Sequence, residues 1–269
     1  MAANPYDILA FHAEAGVDLA LEETPQNRFE EATEPSPVVA MPAAAKAPPA
    51  VFIPRPLPAP PAFVVAPVAP DEAALEAREM ASKAASLDEL HEILKRFDGC
   101  ALKKTAKSLV FADGMAGARV MFVGEAPGAD EDREGLPFVG RSGKLLDLMM
   151  NAIGLDRTSV YIANIVPWRP PGNRTPTPQE TAICLPFIKR QIELANPDFL
   201  ICLGKPSMQT LLHVVEGIKA GRGRWREYDT GARKIKAMAT FHPAYLLRSP
   251  NEKKFAWRDM LALKKALTS

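Results

Sequence analysis

Arg119-Val120-Met121-Phe122-Val123-Gly124-Glu125-Ala126-Pro127-Gly128 decides the fold of this 269-residue chain. An apolar run behind Arg119 meets a turn rich in Gly and Pro, the pattern of a strand buried on both faces and stopped sharply. Three more runs share this character: Val160 to Asn164, Phe199 to Leu203 and Ile235 to Thr240. Helical patterns separate and follow them, over Gly143 to Ile153, Pro178 to Ala195, Pro206 to Val215 and Glu252 to Leu267. Strand alternating with helix predicts an α/β fold, a three-layer αβα sandwich around a central four-stranded parallel sheet. Ligands of such sheets bind beyond the C-terminal strand ends. Glu125 follows the first predicted strand, Asn164 ends the second, Gly204 follows the third and His242 follows the fourth. The candidate chemistry therefore shares one edge of the sheet.

Working toward the N-terminus, residues 71–269 form the predicted folded domain. It opens on a helix with Asp71 as N-cap, and a second stretch starts behind Ser86 with Leu87, Leu90, Ile93, Leu94 and Phe97 at helical spacing. Residues 24–70 are dominated by Pro and Ala, including Pro54-Arg55-Pro56-Leu57-Pro58-Ala59-Pro60-Pro61, which predicts a disordered or polyproline II linker. Residues 1–23, with Tyr6, Ile8, Leu9 and Phe11, fit a short amphipathic helix. A 47% hydrophobic content suffices for one substantial core or two small ones. No run of about 18 apolar residues and no signal-peptide pattern occurs, so a cytoplasmic protein without a membrane span is expected. Three cysteines, an odd number, argue against a secreted disulfide framework.

The net charge of +1 conceals an asymmetry. Residues 1–70 carry 3 Lys+Arg against 8 Asp+Glu, while residues 205–269 carry 14 against 5. A cationic C-terminal segment that includes Arg222, Arg224 and Arg226 favours a polyanionic partner.

Four segments carry a family likeness. They are Gly124-Glu125-Ala126-Pro127-Gly128, Gly135-Leu136-Pro137-Phe138-Val139-Gly140, Asn164 with Trp168-Arg169-Pro170-Pro171-Gly172-Asn173-Arg174, and His242-Pro243-Ala244-Tyr245-Leu246-Leu247-Arg248. Over about residues 98 to 267 the chain resembles the uracil-DNA glycosylases, family 4 in particular. The resemblance implies removal of uracil from single- or double-stranded DNA by a monomeric enzyme, leaving free base and an abasic site. It assigns His242 as donor to the departing base and Glu125 as the carboxylate beside the attacking water. Phe138 would stack on the extruded base, Asn164 would read its edge, and Ala126 would crowd the 5-methyl of thymine. Leu246 or Leu247 would fill the gap in the duplex, with the choice between them open. Arg248, Arg169 and Arg174, with Arg222 and Arg224, would meet phosphate. Glu131 and Asp132 are expected to be solvated or capping groups.

One departure accompanies the match. Family 4 enzymes hold an iron–sulfur cluster on four cysteines, and the corresponding positions here read Cys100, Lys103, Trp168 and Cys184. An ammonium and an indole cannot replace thiolates, so the resemblance with this departure implies no cofactor, with Trp168 filling the vacated volume. Two further readings compete. Gly135-x-x-x-x-Gly140-Arg141-Ser142 mimics a phosphate-binding loop, but an acidic stretch precedes it where a strand is required. Alternatively the domain binds uracil-containing or damaged DNA without cutting it. A covalent DNA trap of the kind a related branch forms would need an inserted basic loop, which is absent between Gly221 and His242.

Overall fold

A computed structural model describes residues 70 to 268. The predicted helix over 1–23 and nearly all of the linker over 24–70 lie outside the described residues. Helix α1 (Pro70–Ser82) leads to α2 (Leu87–Arg96), edge strand β1 (Asp113–Gly114) and the first core strand β2 (Val120–Gly124). Short α3 (Ala129–Glu134) and α4 (Arg141–Asn151) cross to β3 (Val160–Asn164), and α5 (Pro178–Ala195) crosses to β4 (Phe199–Leu203). After α6 (Lys205–Leu212) and α7 (Ile218–Gly221), β5 (Arg226–Asp229) and β6 (Lys234–Thr240) complete the sheet, followed by α8 (Pro243–Arg248) and α9 (Lys253–Thr268).

The sheet has six strands in the order β1-β3-β2-β4-β6-β5. Its four inner strands are parallel, as predicted. The sequence reading missed β1 and β5, which pair antiparallel at the two edges. Every residue of β2, β3 and β4 is buried, which explains why those segments are continuously apolar.

Alternate residues separate the layers. Met121, Val123, Leu200, Cys202, Ala237 and Ala239 face one core with α1, α2 and α5. Val120, Phe122, Ile162, Ile201, Leu203 and Met238 face the other, against Leu146 and Met150 of α4 and Met260 and Leu263 of α9. That two-residue period, covered by helices on both sides, is the αβα sandwich. Ala73, Ala77 and Ala81 are all buried at four-residue spacing, the small stripe that lets α1 lie close against α5.

Local signals fix the helix starts. The Ser86 hydroxyl accepts the Glu89 N–H at 3.2 Å, the cap expected for α2. For α5, Thr177 and Glu180 form a reciprocal capping box, with Pro178 in the first turn. The first helix begins at Pro70, which moves Asp71 inside the first turn instead of the cap expected for it.

Candidate active site

Strand register builds the site. Gly124 pairs with Asn164, and Leu203 with Thr240, so the segments leaving β2, β3, β4 and β6 emerge side by side. There a cavity of about 560 Å3 opens, lined by Glu125, Ala126, Phe138, Asn164 and His242, with Arg174 and Arg248 among its other walls. Seven of the residues singled out in the sequence thus meet in one place. Because β3 and β4 flank β2 on opposite sides, this is also where the connections diverge, the usual position of a site in such a sheet.

His242 is the N-cap of α8. Its Nδ1 accepts the Ala244 N–H at 3.1 Å, which leaves Nε2 to carry the proton of the neutral ring. Burial, helped by the positive charge of Arg248, pushes its pKa down to about 4. The ring is therefore uncharged at neutral pH and can donate one hydrogen bond. It lies with its centroid 5.5 Å from that of Phe138, the planes tilted by 32°.

Phe138 has the left-handed backbone angle φ = 56°, a conformation costly for a bulky side chain, of order 1–2 kcal/mol. Two glycines make room for it. A Cβ on Gly143 would sit 1.6 Å from the Phe138 carbonyl oxygen. One on Gly124 would sit 2.4 Å from Asn164 Oδ1 and 2.6 Å from Phe138 Cζ. The amide and the ring accordingly share the space over Gly124.

Asn164 is 4% exposed, and its Oδ1 has no hydrogen-bond partner. Glu125 Oε1 is likewise buried and unpaired. Burial raises the pKa of Glu125, opposed by a hydrogen bond from Thr175. Each orphaned acceptor costs about 1–3 kcal/mol, and both border the same cavity.

Glu131 and Asp132 are buried, not solvated, and Glu131 is a capping group as the other expectation had it. The Gly140 N–H donates to Glu131 Oε1 at 3.0 Å and the Gly128 N–H donates to Oε2 at 3.1 Å. One carboxylate therefore ties the turn bearing Glu125 to the loop bearing Phe138. Asp132 accepts the N–H groups of Lys107 and Ser108. The Gly128 bond is the cap of α3, whereas the bond to Gly140, nine residues on, has no local signature.

Two expected DNA contacts are corrected. Leu246 is 1% exposed and packs with Phe241 and Ala256, because the turn of α8 directs it inward, whereas Leu247 is 37% exposed. Arg222 is held by Asp259, donates to the Phe255 carbonyl at 2.6 Å and lies over the rings of Phe241 and Phe255. Asp259 also accepts from the Thr240 hydroxyl at 2.7 Å, so this buried group braces the segment just before His242. Arg224 remains outside, 62% exposed and 3.8 Å from Glu216. Arg169 does not line the cavity, and its Nε donates to Asn173 at 2.7 Å. Lys205 and Tyr245 line the cavity without having been singled out.

At the four positions matching the family's cluster ligands, Cys100 and Cys184 are both buried with sulfurs 3.9 Å apart. Lys103 Nζ donates to the carbonyls of Lys95 at 2.6 Å and Phe97 at 3.0 Å and to Asp98 at 2.7 Å, which caps the end of α2. Trp168 is 2% exposed within the same core as the two cysteines. These residues do not fit four-thiolate ligation. Among the described residues no group of three or more His, Cys, Asp and Glu side chains forms a metal site. No described helix is long and apolar enough to cross a membrane.

Fold and cavity together define an α/β protein with a partly polar cavity at its strand ends. A family profile, Uracil DNA glycosylase superfamily, matches residues 111–261. The chain is 40% identical over 169 residues to the type-4 uracil-DNA glycosylase of Archaeoglobus fulgidus, covering 61% of this chain and 85% of that protein. Against the type-4 uracil-DNA glycosylase of Saccharolobus solfataricus it is 39% identical over 189 residues, covering 68% and 88%. The type-4 uracil-DNA glycosylase of Thermotoga maritima gives 39% over 173 residues, with coverage of 63% and 88%. The chain belongs to the uracil DNA glycosylase superfamily and is type-4-like within it.

Proposed function

We propose that this protein is a monofunctional uracil-DNA glycosylase of DNA repair, which hydrolyses the bond between uracil and deoxyribose. The observation that carries the reading is the buried, unpartnered Oδ1 of Asn164 beside the Phe138 ring and the neutral imidazole of His242. An amide at that point can accept from uracil N3–H through Oδ1 and donate to O4 through Nδ2. Cytosine reverses both polarities and would leave buried groups unpaired.

Phe138 supplies a stacking face for the extruded base, an interaction worth about 1–3 kcal/mol and indifferent to base identity. As the N1–C1′ bond breaks, its electron pair leaves with the base and charge collects on the uracil O2. His242 Nε2–H is the donor for that charge, and its depressed pKa keeps it a neutral donor instead of a free acid. Water adds to C1′ of the cationic sugar. Glu125 orients that water, takes its proton and offsets the positive charge on the ring. The uracil anion is protonated from solvent after release. No step is assigned to an iron–sulfur cluster, and none is expected to be bound.

Lys205 and Arg248, which line the cavity, are the proposed phosphate contacts, with Arg174 joining them only by leaving Glu180, to which it bonds at 2.7 and 2.8 Å, and exposed Leu247 is the proposed side chain for the gap left in the duplex. The reading includes a monomer that works in the cytoplasm. Ala126, in the cavity wall, is the residue expected to disfavour thymine.

The test is a gel assay on oligonucleotides with U opposite G, U opposite A, unpaired U and T opposite G. Uracil release with alkali-labile sites and no borohydride-trapped adduct is expected, although Lys205 lines the cavity. A band shift on uracil-DNA without strand lability would make the protein a binder and overturn the reading.

A further inference from the structure

Phe138 keeps its ring in place through a backbone angle that phenylalanine avoids, and something must hold it there. Arg157 is the group that does so. It does not line the cavity, yet its guanidinium donates to the Phe138 carbonyl and, at 3.2 Å, to the Pro137 carbonyl. Its other edges are taken by two carboxylates: Nε donates to Asp147 at 2.8 Å, and Nη1 bonds Asp113. Asp113 lies on β1, Asp147 on α4, and Arg157 itself just ahead of β3. A planar fork held on three elements has one orientation, which a flexible ammonium could not copy. The side chains of Arg157, Asp113 and Asp147 are 26%, 25% and 36% exposed, so the clamp is half-buried.

We propose that Arg157 is a positioning residue for base recognition: by gripping two successive carbonyls it holds Phe138 in the left-handed conformation and so sets the ring plane against Asn164 and His242. Asp113 and Asp147 aim the clamp. The kinetic readout rests on the glycosylase reading, and the structural one does not.

The experiment is a double-mutant cycle with Arg157→Gln and Phe138→Ala, measured as single-turnover uracil release. Arg157→Gln is expected to slow the wild-type background by about 10- to 100-fold, the scale of a misplacement near 1 Å. In the Phe138→Ala background the same change should cost less than about 2-fold, because coupled residues do not add. Equal losses in both backgrounds would show a general structural role and overturn the proposal. Should Arg157→Gln fail to fold, Asp147→Asn replaces it, with a several-fold loss and the same non-additivity expected; an additive or absent effect would overturn the proposal equally. If the wild-type protein releases no uracil, the glycosylase reading is what fails. A crystal structure of the Arg157 variant then decides the clamp, because Phe138 unchanged in φ and ring position would refute it.

Discussion

The cavity and the cysteine corner treat buried polarity in opposite ways. At the cavity, Glu125 Oε1 and Asn164 Oδ1 are two of the three buried side-chain polar atoms without a partner among the described residues. At the corner, Lys103 spends its ammonium on two carbonyls and a carboxylate, and Trp168 and the two cysteines pack inside the core. An orphaned acceptor is a standing cost, tolerable where a ligand supplies the missing donor. The corner has no such debtor. Trp168 and the two cysteines pack as ordinary interior there, and the Lys103 ammonium caps a helix end beside them.

Several experiments can break that contrast or sharpen it. Trp168→Ala should destabilise by about 3–5 kcal/mol, the range for emptying a buried aromatic site, with activity per folded molecule retained. Comparing denaturant midpoints with uracil release would show it, and a selective loss of activity would erase the distinction. Arg222→Ala should also cost about 3–5 kcal/mol, because it strands the buried carboxylate of Asp259. Unchanged stability with weaker DNA binding would instead restore Arg222 to the phosphate-contacting set.

On the cavity side, His242→Ala should lower single-turnover release by about 10²- to 10³-fold, the scale of losing one donor to developing charge. Stability gives a second reading of the same residue. Its folded pKa of about 4 lies below the unfolded value near 6.5. The unfolded chain therefore binds more protons in between, and wild-type stability falls as pH drops from about 6.5 toward 4. His242→Asn should abolish that part of the slope in urea titrations.

Glu125→Gln is expected to slow release by about 10²-fold while raising the melting temperature at neutral pH. The sign follows from the raised pKa: deprotonation opposes folding as pH climbs through the shifted value, and Gln removes the charge. A lower melting temperature at pH 7 would mean that the carboxylate is satisfied in the free protein. The smallest effect belongs to exposed Arg224. Its change to Ala should reduce the salt dependence of DNA binding by about one unit of slope with turnover intact.

Much of the fold was legible because the parallel strands are buried on both faces and so write themselves as unbroken apolar runs. Strands β1 and β5 were not, being two and four residues of mostly polar edge. Asn164, His242, Glu125 and Phe138 could be read because each stands at a strand end or in a short family-like motif. Arg157 could not, since its partners lie 10 to 44 residues away and a lone arginine carries no mark of them. Charge misled in the same manner at Arg222, which looks like Arg224 on paper but is locked inside, whereas Arg224 is 62% exposed beside Glu216. Leu246 and Leu247 were separable only by the phase of a six-residue helix.

The bridge made by Glu131 has a kinetic corollary. Because one carboxylate joins the backbones at Gly128 and Gly140, moving the turn that bears Glu125 away from the loop that bears Phe138 must break a charge-assisted hydrogen bond, at about 1.5–3 kcal/mol. A site preformed in this way gives the proposed glycosylase an expected preference: uracil in single strands, which needs no unpairing, should be captured faster than uracil in duplexes.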